Sequence, residues 1–99
     1  MLPIGTVVYL HKDALNLSYI AKRRSYTNMY ENKKGKVIGY SSTGKVAVEF
    51  DDIVFTNSHE KLSSHDNGCH GKGKLHYCWY IPEKFLRLEI ENNNILLLL

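Results

Sequence analysis

The chain has 99 residues, of which 43% are hydrophobic and 23% charged, and a formal net charge of +3. A chain of this length sustains one hydrophobic core, so a single domain is expected, with little room for a deep catalytic cleft; the composition excludes a disordered or collagen-like polypeptide. Charge is uneven: residues 1–50 carry eight Lys/Arg against three acids, residues 51–99 five against seven. This asymmetry points to an anionic partner, whether nucleic acid, a nucleotide or an acidic protein face.

Met1 to Leu10 is broken by Pro3 and Gly5 and lacks the pattern of a signal peptide, and no stretch approaches the roughly 20 apolar residues of a membrane helix. A cytoplasmic protein without a membrane partner is expected. Cys69 and Cys78 are then expected as reduced thiols or metal ligands rather than as a disulfide.

Ile4 to Leu10 is rich in β-branched and aromatic residues and reads as a first strand. His11 to Lys34 reads as a long excursion holding a short helix that starts near Asp13, a suitable N-cap, and runs through Leu17 to Ile20. Gly35 to Tyr40, the polar segment Ser41-Ser42-Thr43-Gly44, and Lys45 to Phe50 form the clearest element, a β-hairpin closed by a glycine. In its second arm Val46, Val48 and Phe50 alternate with Lys45, Ala47 and Glu49, which predicts one buried and one wet face. Asp51 to Tyr77 reads as a long Gly/His-rich loop of the kind that carries function. Cys78 to Ile81 reads as a strand, Pro82 to Phe85 as a tight turn, and Leu86 to Ile90 as a closing strand. The apolar tail, residues 95–99, either packs within the chain or joins a second copy as a homodimer; intramolecular packing is favoured. The expected core is Val7, Val37, Val46, Val48, Phe50, Trp79, Ile81, Leu86 and Leu88. Strand, one-turn link and closing strand give the fold class: mostly β, a small SH3-like antiparallel barrel in a single domain, with its core at about 4–10 and 35–90.

Gly35-Lys36-Val37, Val46 to Phe50, His65-Asp66 and Cys78-Trp79-Tyr80-Ile81-Pro82 with a closing leucine together resemble small bacteriophage proteins of unassigned function. These carry a His-Asp loop and a terminal aromatic strand on an SH3-like scaffold, loosely similar to Mind-bomb-type domains. The resemblance spans residues 35–90 and implies a phage-encoded protein, acting in the host cytoplasm, that sequesters or occludes a host component by stoichiometric binding. An anti-defence factor, such as an anti-CRISPR inhibitor or a sponge for a nucleotide signal, is of this type. The long residues 12–34 excursion and Gly68-Cys69-His70-Gly71 depart from the pattern.

Three constellations carry chemistry. Lys22, Arg23 and Arg24, then Lys33, Lys34 and Lys36, are interleaved with Tyr19, Tyr26, Tyr30 and Tyr40; cations neutralise phosphates and tyrosine faces stack on bases, which suits a nucleic-acid or nucleotide binding module, while a solvated basic loop is the plain alternative. The same residue types suit a protein hot spot, with His65, Asp66, Lys72 and Lys74 as its polar rim, and Gly71-x-Gly73 could let a phosphate approach the backbone. His65, Cys69, His70, His76 and Cys78 crowd into fourteen positions, and of these His65, Cys69, His76 and Cys78 offer a ligand set for tetrahedral zinc, although their spacing lacks the close Cys-x-x-Cys pairs of a zinc knuckle. Zinc is therefore a minor alternative and no other cofactor is expected. A thiol hydrolase built on these cysteines would need an oxyanion hole and cleft beyond the reach of so short a chain, so a non-catalytic protein is expected.

Overall fold

The computed structural model describes residues 1–56, 68–90 and 95–98. It is mostly β: one antiparallel sheet of β1 (Val7–Leu10), β2 (Lys34–Tyr40), β3 (Val46–Phe50), β4 (Cys78–Ile81), β5 (Leu86–Ile90) and β6 (Ile95–Leu98). The strand order is β4-β3-β2-β1-β5-β6. β4 and β6 are its two edges, so the sheet as described is open rather than closed into a barrel. The apolar tail pairs within the chain as β6, from Ile90 opposite Ile95 to Arg87 opposite Leu98.

The hairpin forms as its alternation dictates. Val37 faces Val48 and Tyr40 faces Val46, with a bulge between Val37 and Gly39. The turn closes through Gly44, whose φ of +85° a side-chain-bearing residue rarely adopts. Within it, the amide of Gly44 donates to the Ser41 carbonyl, and Ser41 Oγ accepts the Lys45 amide at 3.0 Å. β1 enters the core one residue later than the sequence suggests: Val8 and Leu10 are fully buried, whereas Val7 is 42% exposed. The reason is register, since Val8 lies opposite Gly35 and a one-residue slip would reverse every side chain of so short a strand.

β3 departs from the expected pattern in a second way. Ala47 belongs to no wet face; it is buried, because residues 68–78 fold over that side and form a second small core of Ala47, Cys69, Cys78 and Tyr80, with Ile38 and Tyr77 packed against it. The main core gathers Val8, Leu10, Val37, Val46, Val48, Phe50, Val54, Phe55, Trp79, Ile81 and Leu86, with Leu88 partly buried at its margin. Each fully buried Val or Leu there contributes roughly 1.5–3 kcal/mol.

The expected single helix from Asp13 is instead a 3-10 turn (Lys12–Asn16) and a four-residue helix, α1 (Ser18–Ala21), followed by a second 3-10 turn (Arg24–Tyr26). Leu17 separates the first two because its backbone is extended (φ −60°, ψ 133°). Ala14 and Ile20 anchor the excursion in the main core. A 3-10 turn (Glu83–Phe85) links β4 to β5, and β5 returns to pair with β1.

Candidate functional site

A cavity of about 640 Å³ opens where four segments meet. The excursion supplies Tyr19 and Arg23, the β2–β3 turn supplies Ser41, Ser42, Thr43 and Lys45, residues 68–72 supply His70 and Lys72, and β4 supplies Trp79 and Tyr80. Arg23, Lys45 and Lys72 bring three cations to one opening, and no carboxylate is present among these lining residues.

Each cation is positioned by one or two contacts that leave other donors for a ligand. Arg23 Nη1 donates to the Tyr19 carbonyl at 2.7 Å. Lys45 Nζ stands 4.6 Å from the centre of the Tyr19 ring. Lys72 Nζ donates to Tyr80 Oη at 2.9 Å and lies 3.5 Å from the Cys69 carbonyl oxygen. Tyr80 Oη also meets His70 Nδ1 at 2.7 Å and donates to the Cys69 carbonyl at 3.2 Å. Tyr19 Oη donates to the Tyr80 carbonyl at 3.0 Å, which ties the excursion to an edge strand, and burial pushes its phenol up to about 12. Ser41 Oγ is 3.0 Å from Thr43 Oγ1, which fixes the hydroxyl-rich rim.

The segment that aims His70 and Lys72 has unusual backbone geometry. Gly68, Cys69, His70 and Gly71 form a left-handed turn, with φ of 65°, 53°, 58° and 82°. For Cys69 and His70 this conformation costs roughly 1–2 kcal/mol each. The turn is held by the Gly73 amide on the Gly68 carbonyl at 3.0 Å and by the Cys69 side chain, which is fully buried. Cys69 and Cys78 lie together in the second core, where Cys78 Sγ donates to the Lys74 carbonyl at 3.2 Å; the Cys78 side chain, then burial, pushes the Cys69 thiol up, and the Cys69 side chain pulls the Cys78 thiol down.

The sequence-derived candidates are scattered rather than joined. Arg23 and Lys72 line the cavity, and Lys22 is exposed next to Arg23 at the end of α1. Arg24 points elsewhere: its Nη2 donates to the Leu15 carbonyl at 3.0 Å, and it lines a different depression with Lys12 and Asp13. Tyr26 packs against the main core.

Lys33 is 1% exposed. Its Nζ donates to the carbonyls of Asn28 and, at 2.7 Å, Ile53, and sits 4.9 Å from the Tyr30 ring centre. Burial pulls it down to about 8, with Asp52 opposing. This lysine is an internal strut that ties the excursion to residue 53, and it has no surface to offer a phosphate. Lys34 is exposed on β2, opposite Tyr9. Lys74 Nζ lies over the Tyr77 ring at 4.2 Å, while its amide donates to Glu49 Oε1 at 2.8 Å.

Gly73 does not open the backbone to a phosphate. A Cβ there would stand 2.5 Å from both Cys78 Sγ and Ile38 Cδ1 and 2.9 Å from Glu49 Oε1, so the residue is small because it is packed. His65 and Asp66 lie outside the described residues. Of the zinc set, Cys69 and Cys78 share the second core, and His76 Nδ1 is buried with no hydrogen-bond partner among the described residues. No three His, Cys, Asp or Glu side chains gather into a metal-holding group among the described residues. No helix among them is long and apolar enough to cross a membrane.

Comparison with known protein families, curated proteins and solved structures finds no match. The site therefore rests on its own geometry. Sequence reasoning set Tyr19 among the basic and aromatic residues and His70 among the histidines and cysteines, but left out Ser41, Ser42, Thr43, Lys45, Trp79 and Tyr80 as site residues. The signal was present in one place: a run of three hydroxyl residues and a glycine, followed at once by a lysine, is a hairpin tip with donors on it.

Proposed function

We propose that this chain is a non-catalytic binding protein whose ligand is a small phosphate-bearing anion of the nucleotide class, seated between the excursion, the β2–β3 turn and β4. The convergence of Arg23, Lys45 and Lys72, with hydroxyl donors on the rim and no carboxylate among the lining residues, carries this reading. Charge-assisted hydrogen bonds to such an anion contribute about 1.5–3 kcal/mol each. A cavity of 640 Å³ lies within the range that encloses small ligands. A strand of nucleic acid would call for a continuous cationic track, whereas Lys33 is buried and Arg24 faces another side.

Turnover is not part of the proposal. The Ser41 hydroxyl is committed to the Lys45 amide and to Thr43, an arrangement suited to holding a ligand rather than to attacking it. Stoichiometric sequestration of a phosphorylated ligand is the mode of action this supports. The scaffold we infer is SH3-like: the order β4-β3-β2-β1-β5 and the single 3-10 turn before a closing strand that returns to β1 favour it.

Calorimetric titration with ATP, and with adenosine as the uncharged control, tests the function. Arg23→Ala and Lys72→Ala should each weaken ATP binding at least about tenfold, in line with loss of one charge-assisted bond. ATP binding that both variants retain unchanged would remove the pocket from the account.

A further inference from the structure

Two buried cysteines side by side ordinarily pack as small hydrophobic residues. Here one of them holds the element that aims two pocket groups. The Cys69 carbonyl accepts the Lys72 amide at 3.3 Å and Tyr80 Oη at 3.2 Å, and Tyr80 Oη in turn holds Lys72 Nζ and His70 Nδ1. Any displacement of Cys69 is therefore passed to both His70 and Lys72. Its partner Cys78 sits on β4, a strand fixed by register to β3 through Glu49. The pair thus joins a strained turn to a sheet strand, with both side chains packed in the small second core.

We propose that Cys69 and Cys78 are a dithiol switch for the pocket: their intramolecular disulfide draws the left-handed turn towards β4 and displaces Lys72 and His70. The strain at Cys69 and His70 is kept only by the surrounding packing, so the turn is the element that opens to admit an oxidant. The oxidant class is a small disulfide such as oxidised glutathione. Cys78, as thiolate, attacks one glutathione sulfur, breaking the glutathione S–S bond and releasing one reduced glutathione. Cys69, losing its proton, then attacks the Cys78 sulfur of the mixed disulfide and releases the second. The two thiols lose two protons and two electrons, and one oxidised glutathione becomes two reduced molecules. The switch deepens the pocket reading and rests on it for its effect on ligand affinity.

The test treats the folded protein with oxidised glutathione and follows mass after alkylation, the backbone amide signals of His70 and Lys72, and ATP affinity. The expected product is a monomer lighter by two hydrogen atoms and restored by dithiothreitol. Its His70 and Lys72 signals are shifted, and its ATP affinity falls about fivefold or more. Cys78→Ser, which lacks the attacking thiol, should abolish all three changes, and Cys69→Ser, which stops at the mixed disulfide with glutathione, should never form the internal bond; either variant serves where the other does not fold. Oxidation only in urea, disulfide-linked dimers in place of the internal bond, or a disulfide that leaves His70 and Lys72 unmoved would overturn the switch. If the reduced protein fails to bind ATP, the pocket reading falls by itself, and the mass and amide signals still decide whether the switch exists.

Discussion

Lys33 offers a test of the fold that no other residue provides, because its charge is buried between two carbonyls and an aromatic ring. Its folded-state pKa of about 8 lies below the ordinary 10.5, so between these values the unfolded chain holds a proton that the folded chain has lost. Stability rises with pH wherever the unfolded state binds more protons. The gain begins near pH 8 and is complete above 10.5; below pH 8 both states are charged and the group adds no pH dependence. Linkage across this window gives about 2 kcal/mol of added stability between pH 7 and pH 9.5. Lys33→Met keeps most of the apolar stem and removes the titrating group. Urea unfolding of both proteins at the two pH values isolates the effect, since the upward-shifted Cys69 thiol is present in both and drops out of the difference. The stability difference between wild type and variant should move by about 2 kcal/mol in favour of the wild type on going to pH 9.5. A difference that stays constant within about 0.5 kcal/mol would show that Lys33 is solvated and that the excursion is not tied down as described.

Tyr19→Phe removes the bond to the Tyr80 carbonyl and should cost about 1 kcal/mol at neutral pH in thermal or urea unfolding. Because the folded phenol is pushed up to about 12, the unfolded chain ionises first above pH 10. Wild-type stability should fall from pH 10 to 12 more steeply than that of the variant. Gly73→Ala forces a Cβ to within 2.5 Å of Cys78 Sγ and Ile38 Cδ1 and should destabilise by about 1–3 kcal/mol, read as a lower urea midpoint. Val8→Ala should cost about 2 kcal/mol or more in the same assay, whereas Val7→Ala, at an exposed position, should fall within about 0.5 kcal/mol of wild type.

The parts of the fold legible in the sequence were those governed by local pattern. Val46, Val48 and Phe50 alternate and lie in the core, Gly44 closes the hairpin, and Glu83–Phe85 makes the link before the last core strand. Where tertiary packing overrides pattern, the residues misled. Ala47 alternates as a wet residue but is covered by a segment more than twenty positions away, and Val7 and Val8 cannot be told apart without the register against Gly35. Lys33 looks like one cation of a basic run, and only the position of the Asn28 and Ile53 carbonyls makes it an internal one. Arg23 and Lys72 were legible as ligand-binding cations, but their union with Lys45 was not, because the three stand on separate segments that meet only in the folded chain. Cys69 and Cys78 came together in the sequence only as two of a zinc ligand set; the left-handed turn that packs them in one small core is announced by no helix or strand periodicity.

The central claim is that the cationic cavity is where a phosphate-bearing ligand sits. Titrating isotope-labelled protein with ATP at low salt, and following every backbone amide signal, tests it most directly. The account predicts saturable shifts concentrated at Ser42, Thr43, Lys45, His70 and Lys72, weakened in Lys45→Ala. Shifts confined to Lys22, Arg24 and Lys34, or an unresponsive spectrum, would contradict it.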